Sequence, residues 1–317
     1  MLTVFGSTLL SIAGIAPRLV MGADTVTVEN FSLMPGGRGA TQALAAHLAG
    51  AKVRLCSAIG QDEFGALALN VMRDRGLDLD GVKRIAHPTG LCVTLRDNDH
   101  QMQRIISRGA SGQMVVEDIP DAWLDRWTTL LVQGETNESA TMQAIDKVLK
   151  AEGRCILHLS PLVPISESVL DRVDYLILNE MEAVELAASF AMRTDSARAI
   201  AFDIAARRHG PVMIITKQLD LYVGFGANVE HIPHAALDVV DTMGAEDALV
   251  GVFAAGISQG LPLADVLHRA VAAAALTASK EGLQTALPED REIEEIARNW
   301  PSDKQPERPS LRRRPTA

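Results

Sequence analysis

The stretch Asp241 to Leu249, DTMGAEDAL, with the small-residue run ALVGVFAAGISQ that continues it to Gln259, decides how the rest of the chain is read. HAALDVV, His234 to Val240, has strand character, Gly244 and Ala245 open a turn, and the apolar run beyond is helical in pattern. The expected unit is strand, tight turn and helix. The first turn of a helix exposes unpaired N–H groups at the positive end of its dipole, so it can hold a phosphate without a side chain. Asp247 falls inside that turn. A carboxylate there can take a proton from a hydroxyl while neighbouring amides hold the group being transferred. An aspartate that only complements the dipole would give the same sequence.

Working outward, the chain alternates. From Trp127 it runs TTLLVQG strand, ESATMQAIDKVLKAEG helix, RCILHLSP strand, SESVLDRV helix, DYLILN strand, helices through EMEAVELAASFA and SARAIAFDIAARRHG, and PVMIITK strand. This alternation predicts an α/β fold with a doubly wound, mostly parallel sheet and ligands at the carboxyl ends of its strands. Gln133 to Glu135, Asn179 to Glu182 and Asp241 to Asp247 all follow expected strands. Upstream, LTVFG is a buried strand, Pro35 to Gly39 a glycine-rich turn, and Ala40 to Ala49 a helix stopped at Gly50. KVRLCSAIG is a strand, and Gly65 to Arg75 a helix stopped at Gly76. DTVTVENFSL, Asp24 to Leu33, and CVTLRDNDHQMQRII, Cys92 to Ile106, alternate apolar with polar residues, the second about a turn at Asp97 to Asp99. LADVLHRAVAAAALTAS is an Ala-rich helix.

At 317 residues and 47% hydrophobic content the chain can bury a large core, and with only 4% aromatics that core must be built from Ala, Val, Leu and Ile. The net charge of −10 argues against nucleic acid as a partner. Cys56, Cys92 and Cys155 are scattered and form no CxxC pair, so a reducing, cytoplasmic compartment is expected. MLTVFGSTLLSIAGIAP lacks a basic n-region and is read as a buried strand, and no membrane segment is expected. His231 and His234, in HIPH, are read as surface loop, because Pro233 prevents the helix that metal spacing would need. Residues 297–317, rich in Pro and Arg, have almost nothing to bury and are expected to be disordered.

DTMGAEDAL resembles the DTxGAGD signature of the ribokinase-like (PfkB) carbohydrate kinases, and PGGRGATQALAAHLAGAKVRLCSAIGQDEFG, Pro35 to Gly65, resembles that family's N-terminal GGKGAN signature. The two stand in the family's order, about two hundred residues apart. PTG at Pro88 to Gly90, LVQGE at Leu131 to Glu135 and LNEMEA at Leu178 to Ala183 fill the interval. The resemblance implies a ribokinase-like domain over residues 1–296, with a small β-sheet lid from strands near residues 10–34 and 88–107. It implies transfer of the γ-phosphate of ATP, with Mg²⁺, to a hydroxyl of a sugar or nucleoside-like substrate. Asp247 would be the general base, and the amides of Gly244, Ala245 and Glu246 the anion hole. Ser11, Gly36, Gly37, Arg38, Thr41 and Glu135 would face the sugar. Asn179, Glu182, Thr216 and Val271 would face the nucleotide. Glu182 and Asp241 would serve the metal and a monovalent cation such as K⁺. An exposed lid edge would suit a homodimer.

The departures weigh against turnover. Glu246 stands where the family has glycine, and Arg38 where it has lysine. Leu9, Ser11 and Thr41 stand where polar sugar contacts are usual, Val271 where a base-contacting Asn is usual, and TKQLDLYVGFG lacks the early glycines of TxGxxG. Two like charges 4 Å apart near a surface repel by about 4 kcal/mol, so an inward Glu246 would oppose a triphosphate and its replacement by glycine should raise turnover. For Asn179 and Glu182 a helix capping box is the competing role, and for Asp241 a brace for the turn. The alternative is a kinase-fold protein that has lost turnover and acts by binding or regulation.

Overall fold

The computed structural model describes residues 1–28, 30–97 and 101–298. Thirteen strands and nine α-helices are formed among them. The strands are β1 (Leu2–Phe5), β2 (Leu9–Ile15), β3 (Phe31–Gly36), β4 (Val53–Gly60), β5 (Val82–Ile85), β6 (Gly90–Arg96), β7 (Met102–Ser107), β8 (Thr129–Gln133), β9 (Arg154–His158), β10 (Tyr175–Asn179), β11 (Val212–Ile215), β12 (Leu221–Phe225) and β13 (Asn228–Ile232). The helices are α1 (Arg38–Leu48), α2 (Glu63–Asp74), α3 (Glu138–Lys150), α4 (Glu167–Arg172), α5 (Glu180–Ser189), α6 (Ala197–Ala205), α7 (Ala245–Gln259), α8 (Leu263–Ala278) and α9 (Asp290–Arg298).

Nine strands form one sheet in the order β13-β12-β11-β10-β9-β8-β1-β4-β5. It is parallel from β5 through β11 and antiparallel only in its last two pairings. The central parallel strands β1, β8, β9 and β10 are largely apolar and buried because helices cover both faces. One face packs against α1, α7 and α8, the other against α3, α5 and α6. A second sheet, β3-β2-β6-β7, is the expected lid. Residues 98–100 of the expected β6–β7 turn lie outside the described residues, but Asp97 and Gln101 close the hairpin through a 3.0 Å backbone bond.

Alanine and glycine set how closely the first face packs. A β-carbon added to Gly251 of α7 would lie 2.4 Å from the carbonyl oxygen of Gln42 and 2.7 Å from Cβ of Ala45, so α7 rides directly on the backbone of α1. This contact fixes the position of Gln42 relative to Asp247, one helical turn before Gly251 on the same face.

Several expectations are corrected. Residues 234–240 form no strand: Pro233 supplies no amide beyond β13, Val239 and Val240 are exposed, and the segment is fastened by Val240 and Asp241 N–H groups donating to the Ala278 carbonyl. Among the described residues of the alternating run Asp24 to Leu33, only Phe31 to Leu33 are strand; at its start Asp24 Oδ1 accepts from Thr25 N at 2.7 Å. The hairpin β12–β13 replaces the loop expected there. His231 lies on β13, and both His231 and His234 bond Asp220. Ala297 and Arg298, placed in the tail, complete α9; residues 299–317 lie outside the described residues. Among the described residues no helix is long and apolar enough to cross a membrane.

Gly251→Ala gains up to about 1 kcal/mol of helix propensity, whereas overpacking costs about 1–3 kcal/mol. The clash with Gln42 backbone should win, lowering the urea midpoint. A variant as stable as the parent would show that α1 and α7 can separate freely.

Candidate active site

The carboxyl ends of β1, β8, β9 and β10 and the first turns of α1 and α7 converge on one place. Gly37 allows α1 to start there: its φ is +90°, and a β-carbon would meet the Ser7 carbonyl oxygen at 2.7 Å. Arg38 follows, with its side chain only 11% exposed. Its backbone N–H donates to Glu135 Oε2 at 2.9 Å, and Ser7 Oγ donates to the same oxygen at 2.5 Å. Its guanidinium Nη1 donates to Glu246 Oε1 at 3.2 Å and Asp247 Oδ1 at 3.3 Å, and Nε lies 3.8 Å from Glu135 Oε1. One buried cation therefore serves three carboxylates.

One turn along α1, Gln42 is fully buried. Its amide nitrogen donates to Asp247 Oδ1 at 2.7 Å and to His158 Nδ1 at 2.8 Å, while its oxygen accepts from Gln133 Nε2 at 2.8 Å. With Nδ1 accepting, His158 carries its proton on Nε2 and donates to Glu246 Oε1 at 2.8 Å. Glu246 thus points inward, but neutralised by Arg38 and held by His158. Burial works against its ionisation, yet Arg38 and His158 outweigh that and bring its pKa down to about 2. For Asp247 burial dominates and the ionised Glu246 adds to it, so despite Arg38 its pKa lies above the ordinary aspartate range. Glu246 is the readily ionised member of the pair.

At the start of α7, Gly244 takes the left-handed conformation, φ +79°. The Ala245 N–H is committed to the Thr242 carbonyl at 3.2 Å. The amides of Gly244, Glu246 and Asp247 have no partner among the described residues, so the free anion site is shifted by one residue from the expected Gly244–Ala245–Glu246 set.

Asn179 and Glu182 form the reciprocal capping box of α5, and Ser160 Oγ also donates to Glu182. Burial raises the pKa of Glu182. His158 Nε2 and carboxylate oxygens of Glu182 and Glu246 lie within 4.8 Å of one another. The two carboxylates fit a hard divalent cation held partly through water. The imidazole fits less well, since freeing Nε2 would reverse the Gln42 amide and break its bonds to Asp247 and Gln133. Asp241 Oδ1 braces the turn by accepting from Met243 N at 3.1 Å. Thr216 Oγ1 accepts from Asp220 N at 3.1 Å and closes the β11–β12 turn. Val271 is a correction: it is fully buried in the core on α8, so it offers a ligand no contact.

Ser11, Gly37, Arg38, Thr41, Glu135, Gly244 and Asp247 line one cavity of about 60 Å³, joined from the lid by Cys92, Thr94 and Arg104. Gly36 is buried behind it, where an added β-carbon would meet Ser11 Oγ at 2.3 Å. A larger surface hollow of about 350 Å³ beside Arg193 and Phe202 of the α6 region shares no residue with this site. Sequence reasoning missed His158, Gln42, Ser160 and Arg104. The strand-end rule that picked out Asn179 also picks out His158, the last residue of β9.

An acid-bearing helix start with free amides, facing a lidded cavity on an α/β sheet, defines a phosphotransferase of the carbohydrate kinase class. Residues 1–290 match the pfkB family carbohydrate kinases, and the chain belongs to that family. It is 28% identical to the ribokinase of Lactococcus lactis over 296 residues, 92% of this chain and 95% of that protein. Among solved structures it resembles the ribokinase of Thermotoga maritima, with TM-score 0.83, 25% identity and coverage of 94% and 99% of the two chains. It also resembles an Arabidopsis thaliana ribokinase complexed with ribose and ATP, with TM-score 0.80, 26% identity and coverage of 93% and 98%.

Glu246→Gly, expected from the sequence to raise turnover, has a second consequence for stability. Removing this carboxylate deprives His158 and Arg38 of a partner, which should cost about 1.5–3 kcal/mol. Combined with His158→Leu, the loss should be non-additive by about 0.5–3 kcal/mol in denaturant unfolding. Strict additivity would mean the two side chains do not act together.

Proposed function

We propose that this kinase transfers the γ-phosphate of ATP to a hydroxyl of a sugar or nucleoside-like acceptor, with Asp247 as general base. The acceptor oxygen bonds to the γ-phosphorus, the bond to the bridging oxygen of ADP breaks, and the hydroxyl proton passes to Asp247. The observation that carries this is the placement of Asp247. Its carboxylate lines the cavity, and its own N–H and those of Gly244 and Glu246 stand free in the same turn. The Arabidopsis relative, with ribose and ATP bound, supports both ligands. Mg²⁺, held through Glu182 and Glu246, would neutralise charge on the phosphates. Asp241 keeps Oδ2 for a monovalent cation.

Arg38 answers the binding-only alternative. It neutralises the two carboxylates that would otherwise repel a triphosphate. Gln42 and His158 act through others: Gln42 aims Asp247, and His158 fixes the inward position of Glu246.

The lid also supports a homodimer. The pairings align Leu33, Ile12, Val93 and Ile105 in one row across all four strands on the face away from the cavity. Leu33 and Ile105 are 55% and 70% exposed, and Phe31 beside them 52%. A contiguous apolar row of this kind suits a second copy of itself.

Asp247→Asn should lower ADP release by about 10²–10⁴-fold with the fold intact by circular dichroism. Activity needs ionised Asp247, so it should fall as pH drops through the pKa of Asp247, which burial holds above the ordinary aspartate range. Glu246→Gln removes the adjacent negative charge and should move that limb to lower pH. Retained turnover in Asp247→Asn would remove the assigned base. By light scattering the protein should be a dimer and Ile105→Asp a monomer; a monomeric parent would overturn the interface.

A further inference from the structure

The lid strands present opposite characters on their two faces. Register pairs Ser11 with Cys92 and Cys92 with Ile106, then Ala13 with Thr94 and Thr94 with Arg104. Ser11, Cys92, Thr94 and Arg104 line the cavity opposite Arg38 and Asp247. Arg104 therefore hangs from the lid over the place where the acceptor must sit.

The two guanidiniums in this cavity differ in what they already hold. Arg38 is balanced by Glu135, Glu246 and Asp247. Arg104 has no carboxylate partner among the described residues; its contact is the Met102 sulfur at 3.6 Å, a weak acceptor. Its charge reaches inward, since it is among the groups that favour ionised Glu246 and the thiolate of Cys92. A guanidinium carries five donors and no acceptor, in a planar fork that matches a carboxylate or phosphate better than scattered hydroxyls. The cavity's own carboxylates are taken up by Arg38, so Arg104 is left to pair with an anion carried by the ligand.

We propose that the acceptor carries an anionic group, a carboxylate or a phosphate ester, and that Arg104 is the residue that selects it. This rests on the acceptor cavity assigned above. A neutral sugar gives this guanidinium no anion to pair with, whereas an acid or ester gives it a charge-assisted bond.

Calorimetry on the full chain with ribose, ribonate and ribose 5-phosphate tests this without turnover. At least one anion should bind about 10–100-fold more tightly than ribose, the worth of one hydrogen bond to a charged group. The preference between ribonate and ribose 5-phosphate distinguishes carboxylate from phosphate. Arg104→Gln, on an exposed lid strand, should abolish the discrimination, and Arg104→Lys should restore part of it. Ribose binding as well as both anions, discrimination that survives Arg104→Gln, or no binding of any of the three would overturn the proposal. An Arg104→Gln defect confined to the KM for ATP would assign the side chain to the nucleotide and overturn it equally. Intact anion selection with no ADP release from any acceptor would instead overturn the kinase reading and leave this one standing.

Discussion

One buried guanidinium holds this site together. Arg38 is enclosed by Glu135, Glu246 and Asp247, and each of those carboxylates would be costly in its place without it. Burial disfavours the charged form of Arg38, but the surrounding carboxylates more than compensate and push its pKa up. The adjacent carboxylates on α7 repel one another by an amount on the order of 4 kcal/mol at a separation of about 4 Å, and a cation at hydrogen-bond distance from both reverses the balance. Removing one member of such a cluster leaves uncompensated buried charge, which typically costs about 3–5 kcal/mol. Arginine at residue 38 and glutamate at residue 246 act together, because one guanidinium nitrogen, Nη1, reaches Glu246 and Asp247 at once.

This charge balance depends on packing well outside it. Arg38 and Gln42 occupy one face of α1, Asp247 and Gly251 one face of α7, and the helices are close enough for these pairs to meet only because position 251 has no side chain. The abundance of alanine in α1, α7 and α8 is part of the same arrangement: small residues bring backbones together, and polar groups at the helix starts come within reach of one another. Core and site are a single packing problem here.

The fold was legible because its signals are periodic and local. Alternating units announced the parallel sheet, glycines marked the helix ends, and two signatures marked the cavity. The failures have physical reasons. Residues 234–240 carry strand-forming valines but pair with no strand: Asp220 takes the amide of His234 and the Ala278 carbonyl that of Val240. The orientation of Glu246 could not be read from its neighbours, because it is decided by His158, 88 residues away in sequence, and by Arg38, 208 residues away. His158 itself sits in an apolar strand and looks like a core histidine until the strand ends converge. Val271 shows the reverse error: a position inferred from a motif elsewhere in the family carries, in this chain, a side chain that belongs to the core.

The lid joins two roles through the two-residue period of a strand. Successive side chains alternate between faces, so Thr94 and Arg104 look into the cavity while Val93 and Ile105 look out. A one-residue slip of β7 against β6 would bring Ile105 over Asp247 and carry Arg104 into the apolar row. Register is therefore under constraint from both sides: the inner face loses its cation and the outer face its continuity in the same movement. The hairpin is pinned against such a slip at its far end, where Asp97 Oδ1 accepts from Gln101 N at 2.8 Å and the two backbones pair at 3.0 Å. A short polar clamp remote from the chemistry thus decides which side chain the acceptor meets.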